Sequence, residues 1–170
     1  MTRALVRLVA ALLLAGGLAA CGSDDDAQAV ASLKTQILAN DATQGTAAMS
    51  DRQAGCIARG AVDGIGVDRL QDYRILDGDL GVDRTIDQVA LSRKDAESLA
   101  GVFLRCADVE KVVEDRLLDQ VAAGGRRAAV ERCVRRTVTP AAVRTVLAQS
   151  FEQADATAYA ALGKRLARCR

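Results

Sequence analysis

Five cysteines and no histidine stand in this chain of 170 residues, and that combination limits what its side chains can do. General acid–base catalysis uses histidine most often, so Ser-His-Asp and Cys-His arrangements are excluded. Ser32-Leu33-Lys34 and Ser92-Arg93-Lys94 place serine two residues before lysine, but Ser92 reads better as a helix cap than as a nucleophile. Paired carboxylates could cleave a glycosidic bond. A sugar groove wants aromatic stacking surfaces, however, and the chain offers only Tyr73, Tyr159, Phe103 and Phe151, with no Trp. Four cysteines could hold zinc, but structural zinc sites usually pair ligands at close spacing, and neither a C-x-x-C pair nor a histidine is present. No catalytic residue, resident metal or cofactor is therefore assigned, and the chain is not read as an enzyme.

Two clusters carry candidate binding chemistry. In Asp77-Gly78-Asp79-Leu80-Gly81-Val82-Asp83, the carboxylates of Asp77, Asp79 and Asp83 fall at the first, third and seventh positions of a calcium loop. The pattern departs at Val82, where the turn glycine would stand, and at Gln88, where a bidentate Glu would stand. Gly66-Val67-Asp68-Arg69 repeats as Gly81-Val82-Asp83-Arg84, which fits a reused turn in which Asp caps a short helix. The second cluster is basic. Arg132, Arg135 and Arg136 are neighbours at helical spacing, and guanidinium forks suit phosphate and carboxylate. Residues 21–120 carry 11 Lys and Arg against 19 Asp and Glu, whereas residues 121–170 carry 10 against 3. This polarity could steer an acidic partner or an anionic membrane surface onto the arginines. Alternatively, the acidic and basic halves neutralise one another. Nucleic acid is not expected, because no stacking aromatics accompany the arginines.

The first residues set the location. Arg3 and Arg7 precede an apolar run from Leu8 to Leu18, followed by small residues. The run is shorter than the roughly 20 apolar residues a bilayer span needs, so it reads as a secretory signal over residues 1–20. The ending Leu18-Ala19-Ala20-Cys21 resembles the lipobox of bacterial lipoproteins. That resemblance implies lipidation of Cys21, cleavage before it, and anchoring on the extracytoplasmic face of a bacterial membrane. Gly22-Ser23-Asp24-Asp25-Asp26 then begins an acidic, polar tether over residues 21–48, with room for a short helix at residues 27–39.

The remaining residues, 49–170, must position everything else. One proline and an abundance of Ala, Leu and Arg favour helix, and the fold class expected is all-α, a small helical bundle. Ser50-x-x-Gln53 is a capping box, Ser92 a second cap, and Thr139-Pro140 a third with proline at the first helical position. Gly60, Gly64 and Gly66 are expected to weaken and end the first helix. Leu99, Val102, Phe103 and Cys106 form a buried stripe, as do Val130, Cys133 and Val134. Residues 67–91 are the least regular, with Tyr73-Arg74-Ile75-Leu76 a candidate extended piece.

With Cys21 assigned to lipid, four cysteines remain in an exported chain, so two disulfides are expected, in any of three connectivities. Leu99…Phe103-Leu104-Arg105-Cys106 aligns with Leu162…Leu166-Ala167-Arg168-Cys169. This hint of duplication favours Cys56–Cys106 and Cys133–Cys169, one staple in each of two halves, 49–107 and 108–170. The functional expectation is a non-catalytic binding module of the envelope, held to the membrane by its lipid and meeting an envelope protein partner. The alternative is a carrier of an apolar ligand or lipid in a cavity between the helical halves.

Overall fold

Side-chain caps set where helices begin. Ser50 Oγ accepts the Gln53 N–H at 3.3 Å while Gln53 Oε1 accepts the Ser50 N–H at 3.0 Å, so two otherwise orphaned donors are satisfied reciprocally. Ser92 Oγ accepts from Asp95 N–H at 3.3 Å, and Thr139 Oγ1 from Ala142 N–H at 3.2 Å just after Pro140. The computed structural model describes residues 24–44, 49–119 and 127–169. The fold is all-α, and among the described residues the helices are α1 (Asp24–Gln44), α2 (Asp51–Ile65), α3 (Val67–Asp72), α4 (Arg93–Cys106), α5 (Val109–Asp119), α6 (Arg127–Thr137), α7 (Pro140–Phe151) and α8 (Thr157–Leu166). Short 3-10 turns occupy Ile86–Gln88 and Ala167–Cys169. Extended pairing among the described residues is confined to an isolated antiparallel bridge between Leu76 and Val82.

The segment expected as a tether is part of the domain from Asp24 onward. Helix α1 covers 21 residues, and it buries Ala29 and Leu33 fully in the same apolar cluster as Ala58, Ala61, Leu70, Ile75 and Leu99, with Val30 and Ile37 packed alongside. A narrow apolar stripe is enough, because burying a side chain such as Leu33 is worth about 1.5–3 kcal/mol. Asp24, Asp25 and Asp26 fall in the first turn, where negative charge complements the helix dipole. Helix α1 therefore packs on the residues that follow position 49. Cys21 and the signal segment lie outside the described residues. No helix among the described residues is long and apolar enough to cross a membrane.

Helices α2 and α4 pack antiparallel, and the glycines of α2 make this possible. Helix α2 runs through Gly60 and Gly64 and ends only at Gly66, whose φ of +92° is a conformation that side chains with a Cβ rarely adopt. A Cβ at Gly60 would lie 2.5 Å from Val102 Cγ1, and one at Gly64 would lie 2.6 Å from Ser98 Oγ. The glycines expected to break the helix instead let α4 approach it. One turn further the same register brings Cys56 to Cys106, bonded with Cα atoms 5.5 Å apart.

A second apolar cluster gathers Val130, Val134, Val138, Val143 and Cys169, with Leu104, Val109, Val113 and Leu147 against it. Cys133 of α6 is bonded to Cys169 in the last 3-10 turn, again with Cα atoms 5.5 Å apart. Each half thus holds one disulfide, but the halves interlock. Helix α7 packs along α4, Phe151 of α7 reaches the first cluster, and Leu104 of α4 reaches the second.

Candidate functional site

Phe151 closes one wall of an apolar cavity that is the candidate site. Its ring lies 5.4 Å from that of Phe103, tilted by 45°, a favourable offset arrangement. Leu91 N–H donates to Phe151 O at 2.9 Å, and Gln153 Nε2 donates to Asp87 O at 3.2 Å, so the end of α7 is bonded to the loop before α4. Across the cavity, α1 presents Leu33 and Ile37 one turn apart. Beside them, the Gln36 side chain donates to Asn40 Oδ1 at 3.0 Å. The floor and third wall come from Ile75, Val82 and Ile86, with Arg84, Thr85 and Asp87 also lining the space.

Residues 73–91 look irregular in sequence, yet they are fixed in place. The chain doubles back at the Leu76–Val82 bridge, supported by Asp83 N–H to Ile75 O at 3.0 Å. Asp77 Oδ1 closes the turn by accepting the N–H groups of Asp79 at 2.9 Å and Gly81 at 2.8 Å. That is the turn-capping role of aspartate. The structure does not gather Asp77, Asp79 and Asp83 into a cage, and no cluster of three or more metal-ligating side chains occurs among the described residues. The result is an open cavity of about 310 Å³, apolar on its walls, at the small end of the roughly 300–1,000 Å³ typical of ligand sites.

Asp95 lies in the first turn of α4, three residues after the cap Ser92. In the structure it is buried and forms the centre of a polar knot. Tyr73 Oη donates to Asp95 Oδ2 at 2.7 Å, Ser92 Oγ donates to the same oxygen at 2.9 Å, and the Arg69 guanidinium pairs with it. Tyr73 Oη in turn accepts the Ser92 N–H at 2.9 Å. Burial opposes ionisation of Asp95, but the hydrogen bonds from Tyr73 and Ser92 and the charge of Arg69 outweigh it and hold the carboxyl below its ordinary range. Arg69 is held protonated even more firmly by its bond to Tyr73 and by the carboxylate. The knot ties α3 and the turn after it to the start of α4. Asp95 does not line the cavity, so this carboxylate serves architecture. The signal in sequence was Ser92-x-x-Asp95, a capping pattern, but nothing local announced Arg69 and Tyr73 as its partners.

The three arginines singled out in sequence are all exposed on α6. Arg135 is engaged, by Glu131 at 2.8 Å and Glu114 at 3.9 Å. Arg132 and Arg136 make no ion pair among the described residues. Among the described residues, the acidic half meets these arginines at one contact, Glu114 with Arg135.

No family model matches the chain, and no curated protein or solved structure does either.

Proposed function

We propose that this chain is a lipoprotein anchored through Cys21 on the extracytoplasmic face of a bacterial membrane, and that its helical domain is a non-catalytic binding module for a small apolar molecule. The lipobox-like Leu18-Ala19-Ala20-Cys21 supports the anchor. The observation that carries the binding role is the cavity between α1, the 73–91 segment, α4 and α7. Its walls are Leu33, Ile37, Ile75, Val82, Ile86, Phe103 and Phe151, and apolar walls with a few polar groups at the edge suit a ligand that leaves water. The absence of histidine and the structural employment of Asp95 support a role without chemistry.

The test is native mass spectrometry of the full-length protein extracted from its own membranes in mild detergent, beside the variant Ile86→Trp, which fills the cavity. A bound small mass on the natural protein and its loss from the variant is the expected result. A naked natural protein, or the same mass retained on the variant, would rule the cavity out as the binding site.

A further inference from the structure

We propose that the arginine-rich face built by α6, α8 and the turn after α8 docks a phosphate-bearing anionic polymer, at the end of the domain opposite to where the chain enters it. Among the described residues, the charge of the second half is concentrated in cations that make no ion pair. Arg127, Arg132, Arg136, Lys164, Arg165 and Arg168 are all exposed, and none makes an ion pair among the described residues. Residues 127–169 contain only Glu131, Glu152 and Asp155 as acids. Glu131 is taken by Arg135, and Glu152 faces Arg93.

The Cys133–Cys169 bond makes this one surface instead of two. Arg132 precedes Cys133 and Arg136 follows it by three residues; Arg168 precedes Cys169 and Arg165 lies one turn before it. With the two cysteine Cα atoms 5.5 Å apart, both sets of guanidinium groups flank the same crosslink. Their backbones are already ordered, so less entropy is lost on binding than for a flexible basic tail. Forked guanidinium donors bind phosphate oxygens in pairs.

Two observations choose the partner. The first is what the face lacks. Protein interfaces are centred on buried aromatic or aliphatic anchors. The large apolar side chains standing exposed among the described residues are Val112, on α5, and Tyr159, in the first turn of α8, which lines a hollow with Val146 and Gln149 of α7 that none of these cations enters. A face of charge without an apolar centre suits a hydrated polyanion. The second is direction. Asp25 and Asp26 of α1 share a hollow with residues 65–69, and Arg69 is clamped to Asp95 at the first turn of α4. The second cluster meets α4 through Leu104, near the other end, which is about 14 Å further along the helix axis. The orientation rests on the anchoring proposed above: a chain held at Cys21 carries this face away from its own membrane.

The experiment measures binding of linear inorganic polyphosphate to the full-length protein in neutral detergent, across a salt series. Expected are binding that weakens steeply with salt, a loss of at least tenfold in Arg132→Glu/Arg136→Glu and in Arg165→Glu/Arg168→Glu, and little change in Arg59→Glu/Arg74→Glu. No binding, or equal loss in all three variants, would overturn the proposal. A fluorophore at residue 136 of protein reconstituted in anionic vesicles reports the direction. Quenching by lipid-borne quencher would assign the face to the membrane and also overturn it. Cys21→Ala separates the two readings: it should release the protein from membranes and keep polyphosphate binding. A natural protein that never was membrane-bound would sink the anchor while leaving polymer binding to be judged by the arginine variants.

Discussion

Replacing Gly60 with alanine should destabilise the protein, although the same change in an open helix stabilises it. The Cβ would sit 2.5 Å from Val102 Cγ1 and 2.9 Å from Cγ2. Val102 is 1 % exposed, and a β-branched side chain in a helix has one strongly preferred rotamer, so it cannot swing aside. Nor can the helices separate easily, because Cys56–Cys106 pins them one turn away. Overpacking of this kind costs about 1–3 kcal/mol, while Gly→Ala in a helix interior gains about 1 kcal/mol. The net is a loss of about 0–2 kcal/mol, or roughly 2–4 °C in Tm for each kcal/mol at this size. Gly163 of α8 supplies the comparison, since nothing lies within 4 Å of its Cβ position, and Gly163→Ala should gain about 0.4–1 kcal/mol. Denaturant unfolding followed by circular dichroism measures both. In a Val102→Ala background the obstructing methyls are gone and only the residue-102 Cβ remains close, at 3.3 Å, so Gly60→Ala should lose most of its cost there. If Gly60→Ala raises the midpoint as much as Gly163→Ala in the natural background, the close-approach account of α2 and α4 is wrong.

Leu33→Ala should cost about 2–5 kcal/mol, because Leu33 is buried in the first cluster; a cost near zero on the same unfolding curve would return α1 to the status of a tether. Asp95→Asn should cost about 1–2 kcal/mol at neutral pH, discounted for the partial exposure of Arg69. The folded-state pKa of Asp95 is depressed, so its contribution is complete above the unfolded value of about 3.9 and is lost as pH falls through the folded value. Stability profiles of the two proteins should therefore converge in acid, and parallel profiles would dismiss the knot as an electrostatic stabiliser. Breaking Cys133–Cys169 by Cys133→Ser/Cys169→Ser should cost about 4 kcal/mol in the chain-entropy model, while leaving Cys56–Cys106 intact in peptide maps of the unreduced protein.

The parts of the fold that depend on neighbours in sequence were readable there. Ser50 and Gln53, Ser92, and Thr139 with Pro140 open the helices that their types and spacing announced, because a cap is satisfied within one turn. The stripe through Leu99 and Val102 is buried for the same kind of reason. Helix α1 was underread: its apolar stripe is narrow and partly alanine, and only the surface of α2 reveals that Ala29 has somewhere to go. Gly60 and Gly64 were read by propensity, and packing overrode propensity. The lining of the cavity and the partners in the Asp95 knot were not legible. Phe151 is far in sequence from Phe103, as Arg69 is from Asp95, and such pairings arise only from the path of the chain.

Neither disulfide crosses from one half to the other, and this fixes how the molecule would carry a load. For a pull between Cys21 and the arginine face, tension would enter through α1, short-circuit at Cys56 to Cys106, run along α5 and α6, and short-circuit again at Cys133 to Cys169. The stretch enclosed by the first crosslink, including α3 and α4, would bear none of it along its backbone. The segments free to pay out are the one before Cys56 and the one between Cys106 and Cys133. Yielding would therefore begin at α1 and α5. Because Leu33 and Ile37 of α1 form one wall of the cavity, force on the far face would open that cavity without breaking either covalent loop.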